Sequence, residues 1–227
     1  MRMGFTSSWS AKPVGTKLAF NDGFASTIDF DFSSSDIYQN ALLFLEGVVK
    51  DFESISFNDK EFGFPGIRGI ITYGQRFSYD YCNTSFDLSS QRTIAYFPSA
   101  FQMNTAFSKA YIIEESGSRA NLCGNSLFFD VETYKALMYA AKILNYPLPT
   151  IEDKGSSIVV KVYDKDGWFA DLIIESSPYH YGKSEKYDSR GIETELYKYI
   201  SLYSRIDEIA SIGAYYQNHR YSTIDTE

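Results

Sequence analysis

The stretch KLAFNDGFASTIDFDF, residues 17–32, has the strongest pattern of local structure in the sequence. An Asn-Asp-Gly turn occupies residues 21–23, and Asn-Gly and Asp-Gly pairs supply the positive φ that tight hairpin turns need. After the turn, every second residue from Phe24 to Phe32 would share one face of a strand. The stretch therefore predicts a β-hairpin, and the rest of the fold is interpreted outward from it.

Helical and strand patterns alternate downstream of this hairpin. Four segments carry apolar residues at helical spacing and predict helices: 33–53, 99–115, 131–145 and 190–212. Three further segments predict strands: 66–74, 125–131 and the hairpin 157–174. This order indicates an α+β fold, with a mostly antiparallel, ferredoxin-like sheet flanked by helices. Neither an internal repeat nor a long linker is apparent, so residues 1–227 are predicted to form a single domain.

The composition narrows the class of protein. Hydrophobic residues make up 44% of the 227 residues, with 19 Tyr and 18 Phe, which is enough to build a sizeable core. The net charge of −8 excludes duplex nucleic acid as the main partner, because an acidic surface repels a phosphate backbone. Only His180 and His219 are available for a histidine zinc site or a Ser-His-Asp triad.

The sequence also indicates a cellular location. The first fifteen residues lack the apolar core of a signal peptide, and no apolar run reaches the length of a membrane span. The two cysteines, Cys82 and Cys123, favour a reduced protein over a disulfide framework. We therefore expect a cytoplasmic protein that has no membrane partner.

Three segments, in a fixed order, carry a resemblance to a known family. They are the hairpin with Asp22, the strand GIRGIITYG at residues 66–74, and the helix PSAFQMNTAFSKAYIIEESG at residues 98–117, which contains Asn104. Together they resemble the class III nucleotide cyclase catalytic domain, most closely that of the bacterial Pycsar-type pyrimidine cyclases. The resemblance covers residues 16–145 and, more weakly, 157–221, and it depends on the order and spacing of the segments.

The resemblance implies an enzyme that converts a nucleoside triphosphate, UTP or CTP, to a 3′,5′-cyclic nucleotide and pyrophosphate. In that family the product, cyclic UMP or cyclic CMP, is an antiphage signal to a downstream effector protein. The resemblance also implies Mn²⁺ or Mg²⁺ as cofactor and a homodimer with active sites at its interface. Two metal ions reduce the cost of crowding negative charge as the ribose 3′-oxygen attacks the α-phosphate.

The same resemblance assigns roles to four residues. Asp22 corresponds to a metal-binding aspartate, and Asn104 to the asparagine that orients the ribose, since its amide both donates and accepts hydrogen bonds. The family places a cation one helical turn after the asparagine, where it stabilises charge on the transferring phosphorus. The candidates for that cation are Lys109, Arg68 and a residue of a partner subunit.

The sequence departs from the family pattern in two places. The family's first metal aspartate lies on a strand upstream of the hairpin, and this chain begins too close to Asp22 to contain that strand. We expect a late start, or another residue or chain as the second carboxylate; Asp29 and Asp31 are the nearest local substitutes. The position four residues after Asn104 is Ser108, and Lys109 points about 100° away around the helix.

Each of these residues also has an ordinary interpretation. Asp22 is a common turn residue, Asn104 a surface or polar contact residue, Arg68 a structural residue and Lys109 a solvated charge. The chain is then a catalytically inactive, cyclase-fold binding or regulatory protein. The excess of Tyr and Phe leaves a third alternative, a structural or assembly protein.

The acidic turn at residues 164–167 is better explained as a hairpin turn than as a calcium loop.

Overall fold

The computed structural model describes residues 16–19, by their backbone alone, together with residues 23–29, 36–76 and 104–208. The helices are α1 (Ile37–Glu61), α2 (Thr105–Ser116), followed by a 3₁₀ turn (Gly117–Ala120), and α3 (Val131–Ile143). The strands are β1 (Thr16–Ala19), β2 (Phe24–Thr27), β3 (Arg68–Ile71), β4 (Ser126–Asp130), β5 (Thr150–Asp153), β6 (Ser157–Asp164), β7 (Gly167–Glu175), β8 (Tyr179–Tyr181) and β9 (Thr194–Ser204).

Two sheets organise this part of the chain. The larger has the strand order β3-β4-β9-β7-β6-β5, with β8 paired to β9. Its β3–β4 pair is parallel and its other pairs are antiparallel. The predicted α+β class, with a mostly antiparallel sheet flanked by helices, is therefore confirmed. The β1–β2 hairpin is antiparallel as predicted and forms a separate, two-stranded sheet.

The helices cover both faces of the larger sheet, and β4 shows this most clearly. Leu127 and Phe129 pack toward α1, whereas Phe128 packs on the opposite face with Ile113 of α2. All five residues of β4 are buried, as expected of a strand with a helix on each side. The largest core cluster lies under α1 and α3: Tyr38, Leu42, Leu137, Ala140, Ala141, Val160, Val162, Phe169, Ala170 and Ile174.

Several local predictions are confirmed. Helix α3, strand β4 and the β6–β7 hairpin lie where the sequence predicts them. Gly117 ends α2 at a φ of 50°, a conformation that favours glycine. The turn at residues 164–167 is a hairpin turn, in which the Asp166 amide donates to the Asp164 carboxylate at 2.8 Å and that carboxylate also pairs with Arg205.

The predicted helix over residues 190–212 is wrong over residues 190–204, because residues 194–204 form the central strand β9, whereas residues 205–208 are helical as predicted. The spacing of Leu196, Tyr199 and Tyr203 fits a helix, but β9 pairs with β4, β7 and β8. Short runs rich in apolar and aromatic residues do not separate helix from strand by periodicity alone. Residues 194–204 form a strand because they pair with strands on both sides. Those partner strands cannot be identified from the sequence of the segment itself.

Helix α1 also differs from its predicted length. It continues to Glu61, through residues that the sequence predicts to be loop, because residues 54–62 contain neither glycine nor proline. Phe57 and Phe62 are largely exposed, so the last turns of α1 are not held by the core. Strands β5 and β8 were not predicted. Among the described residues, no helix is both long and apolar enough to cross a bilayer.

Candidate functional site

The amino end of α2 is fixed to the chain segment that follows β3. The Thr72 hydroxyl donates to the Ala106 carbonyl at 2.7 Å. The Thr105 amide donates to the Gln75 carbonyl at 2.8 Å, and the Gln75 amide donates in return to the Thr105 hydroxyl at 2.7 Å. One of these bonds satisfies the Thr105 amide, which a helix start would otherwise leave without an intrahelical partner. The three bonds hold the first turn of α2 against residues 72–76.

Gly74 permits this close approach. A β-carbon at this position would lie 2.5 Å from the Ala106 amide nitrogen and 2.5 Å from the Thr105 hydroxyl oxygen. Because the first of these is a backbone atom of α2, a side chain would have to displace the helix. The glycine therefore sets the distance between the segment after β3 and the helix that carries the predicted asparagine.

Asn104 is the residue that joins α2 to the β1–β2 hairpin. It is the N-cap of α2, and its Oδ1 accepts from the Phe107 amide at 3.0 Å. Its Nδ2 donates to the Thr27 hydroxyl on β2 at 3.2 Å. The side chain is not a solvated surface group, because the residue is only 3% exposed. Two of the three segments that carry the family resemblance thus meet at this residue.

A second link lies beside the first. The Arg76 guanidinium makes a two-pronged ion pair with the Asp29 carboxylate, just beyond β2, and Arg76 also forms an isolated antiparallel bridge with Asn104. This pairing engages Asp29, one of the local substitutes predicted for the second metal carboxylate. Asp22 and Asp31 lie outside the described residues. We define Thr27, Asp29, Arg76 and Asn104 as the hairpin junction.

Lys109 lies further along α2 and is not a solvated charge. Its Nζ is 2.5 Å from the Asp130 carboxylate, and the two side chains are 17% and 0% exposed. The other carboxylate oxygen of Asp130 accepts from the Thr194 hydroxyl at 2.5 Å. Asp130 ends β4 and caps α3, so this ion pair connects α2 to the centre of the sheet. Sequence reasoning did not single out Asp130, although an aspartate between a buried strand and a helix is a typical N-cap signal.

Arg68 lies at the opposite end of α2. Its guanidinium donates to the carbonyl oxygens of Glu114 at 3.1 Å and Leu122 at 3.2 Å, and to the Glu114 carboxylate at 2.7 Å. Glu114 is ten residues after Asn104, which is about 15 Å along a helix axis. The structure therefore does not bring Arg68 to the hairpin junction. A cation that binds carbonyls near the end of a helix favours the structural interpretation of Arg68.

No group of three or more His, Cys, Asp or Glu side chains in the described ranges is arranged to hold an ion. Asp29 pairs with Arg76 and Asp130 pairs with Lys109, so both of these carboxylates are already neutralised. We derive no metal-dependent step from these residues.

A second polar cluster joins α1 to the end of β9. The Ser204 hydroxyl donates to Glu46 at 2.5 Å and also lies 3.1 Å from Asp207, and Lys50 pairs with Asp207 at 3.0 Å. Burial raises the pKa of the Glu46 carboxyl, and the nearby Asp207 charge raises it further, against the opposing effects of Ser204 and Lys50. This cluster lies on the α1 side of the sheet, whereas the residues predicted from the family resemblance lie on α2 and β3.

Comparison of the chain with protein-family models, with curated proteins and with solved structures found no match.

Proposed function

We propose that this chain is a nucleotide cyclase of the class III type, with the ferredoxin-like fold that the family resemblance implies. Its reaction is attack of the ribose 3′-oxygen of UTP or CTP on the α-phosphate, with release of pyrophosphate. The product, cyclic UMP or cyclic CMP, acts in the cytoplasm as a bacterial antiphage signal to an effector protein. The proposal follows the order of hairpin, Arg-Gly strand and Asn helix in the sequence.

The observation that carries the proposal is the hydrogen bond from Asn104 to Thr27. It joins the helix expected to orient the ribose to the hairpin expected to hold the metal. Asn104 and the strand β2 are 77 residues apart in the chain, so their contact is not a consequence of sequence proximity. A nucleotide that binds at the hairpin junction would place a ribose hydroxyl where the Thr27 hydroxyl now accepts from the Asn104 amide.

The remaining roles are assigned from this contact. Asp22 belongs to the hairpin and would bind Mn²⁺ or Mg²⁺, with a second carboxylate from outside the described residues or from the second subunit of a homodimer. Lys109 is the cation on the same helix as Asn104, and it would need to leave Asp130 to reach a phosphate. Arg68 is proposed to stabilise the far end of α2.

A second candidate function has its own supporting observation. Lys109 is neutralised by the fully buried Asp130 and Arg68 by Glu114, so neither cation is poised for a transferring phosphorus. This pairing favours a cyclase-fold protein that binds a nucleotide or a regulatory partner without catalysis. The two candidates differ in turnover and not in the residues at the hairpin junction.

Turnover with each of the four nucleoside triphosphates separates them. We expect the purified chain with Mn²⁺ to release pyrophosphate and a cyclic nucleotide from UTP or CTP, both measured by chromatography. Binding of UTP or CTP without either product would favour the inactive alternative. If none of the four nucleotides gives a product or binds, the cyclase is excluded, and of the second candidate only a protein that binds a regulatory partner is left.

A further inference from the structure

A cavity of about 250 Å³ lies between α1, α3 and the larger sheet, on the face away from α2. Most of its wall is aliphatic or aromatic, and includes Leu42, Val49, Leu137, Val160 and Leu172. Apolar cavities of about 150 Å³ are known to stay dry and to bind benzene, which has six carbon atoms. On that scale this cavity accommodates a molecule of about ten non-hydrogen atoms.

One wall residue points to a ligand rather than to a simple packing gap. Thr133 lines the cavity, is only 8% exposed, and its hydroxyl oxygen has no hydrogen-bond partner among the described residues. Buried hydroxyl groups are rarely left without a partner, because each loses its bonds to water. A bound molecule with a hydroxyl or carbonyl group would restore the missing bond.

The charges of the wall restrict that molecule further. Asp130 and Glu46 line the cavity, and no lysine, arginine or histidine is among its described lining residues. Asp130 is neutralised by Lys109, and Glu46 accepts from Ser204, so neither side chain requires a cationic ligand. An anionic ligand would be buried beside two acidic groups without a counter-charge, which is unfavourable. The wall therefore selects an uncharged ligand.

The cavity has a route to solvent. Ile151 lies on β5, the edge strand of the larger sheet among the described residues, and it lines the cavity while being 54% exposed. An edge strand has one unpaired side, so its side chains move with less cost than those of the central strands. A small molecule therefore has an entrance beside Ile151.

We propose that this cavity is a binding site for a small, uncharged, mostly apolar molecule whose single hydroxyl or carbonyl group hydrogen-bonds to Thr133. The site is separate from the hairpin junction, and the proposal does not depend on cyclase activity. It assigns the free Thr133 hydroxyl to ligand recognition and the aliphatic wall to affinity.

The test uses two probes that differ by one hydroxyl group, 2-phenylethanol and ethylbenzene. We expect the full chain to bind both saturably in an NMR titration, with nuclear Overhauser contacts from the probe ring to the methyl groups of Leu137 and Val160. Octanoate, an anionic probe of similar size, is expected to bind more weakly than 2-phenylethanol. Tighter binding of octanoate would contradict the proposed selection of an uncharged ligand.

The variant Thr133→Val tests the polar contact, because valine keeps the shape of threonine and removes the hydroxyl. We expect it to weaken binding of 2-phenylethanol about tenfold, the effect of one lost hydrogen bond, and to leave ethylbenzene binding unchanged or tighter. The matched control Thr150→Val, on the exposed side of β5, is expected to change neither affinity. Unchanged affinity of Thr133→Val for 2-phenylethanol, or no saturable binding of either probe to the unmodified chain, would overturn the proposal.

Discussion

Two of the residues that the family resemblance assigns to catalysis, Asn104 and Arg68, lie at opposite ends of α2, and the two ends are built differently. At the amino end, Asn104 is buried and bonds to the β1–β2 hairpin, which is distant in sequence. At the carboxyl end, Arg68 bonds to carbonyl oxygens of α2 and of the loop that follows it. Both ends join α2 to distant parts of the chain, but only the amino end bonds to the hairpin that contains Asp22. We therefore place the candidate site there and assign the carboxyl end to stability.

The largest expected effect concerns the ion pair that anchors the amino half of α2. Asp130→Ala leaves the mostly buried Lys109 without a counter-charge, and removing one partner of a buried pair costs about 3–5 kcal/mol. Urea unfolding of the variant and the unmodified chain measures this difference. The matched control is Glu132→Ala, which breaks the exposed pair with Lys135 and is expected to cost about 0.5 kcal/mol. Similar losses in the two variants would contradict the importance of the buried pair.

The next effect concerns the approach of the chain to the start of α2. Gly74→Ala places a β-carbon 2.5 Å from the Ala106 amide nitrogen, and overpacking of this kind costs about 1–3 kcal/mol. Gly47→Ala is the control, because a β-carbon on that face of α1 meets nothing within 4 Å. It is expected to stabilise the chain by about 0.5–1 kcal/mol, as alanine does in a helix. Thermal unfolding distinguishes the two variants. A stabilising Gly74→Ala would show that residues 72–76 are not closely packed against the start of α2.

A smaller effect is expected at the carboxyl end of α2. Arg68→Met keeps much of the side-chain length and removes the bonds to Glu114 and Leu122, at an expected cost of about 1–2 kcal/mol. If this end serves stability alone, the folded variant retains its nucleotide turnover. If Arg68→Met lowers nucleotide turnover as much as a substitution of Asn104 does, the proposed distinction between the two ends of α2 is wrong.

The smallest effect is a pH dependence on the α1 face, away from both ends of α2. The pKa of Glu46 is raised by burial above its ordinary value of 4.5, so the folded chain holds this proton more tightly than the unfolded chain. Stability is then lost as pH rises from 4.5 through the folded pKa. Glu46→Gln retains an acceptor for Ser204 and lacks this dependence. As pH rises above 4.5, the unfolding free energy of the unmodified chain should fall relative to that of Glu46→Gln. A difference between the two chains that does not change with pH would contradict the raised pKa of Glu46.

Much of the fold follows from local patterns, and the exceptions share a physical reason. The Asp-Gly turns, the apolar stripe of α3 and the stop at Gly117 are features of a few neighbouring residues, so the sequence predicts the elements that contain them. Strand β9 is different, since Leu196 and Tyr199 become strand residues only through pairing with distant strands. Propensity is a weak guide wherever tertiary pairing competes with it.

The sequence identifies candidate site residues, but it does not identify the residues that they contact. Asn104 and Lys109 stand out on an amphipathic helix, and Asn104 also fits an N-cap. Their partners Thr27 and Asp130 lie 77 and 21 residues away, so the contacts depend on how the hairpin and β4 meet α2. Arg68 was predicted from a glycine-bounded strand, and its place at the far end of α2 follows from the parallel pairing of β3 with β4.

The most direct test of the candidate site is nucleotide turnover by Asn104→Ser. Serine still caps a helix, so the variant removes the amide from the hairpin junction while retaining the cap. Asn58→Ser, at an exposed position of α1, is the matched control. We predict that Asn104→Ser lowers cyclic nucleotide formation from UTP or CTP about 100-fold, because a misplaced ribose loses the aligned attack on phosphorus, and that Asn58→Ser has full activity. Equal activity of the two variants would contradict the placement of the site at the amino end of α2.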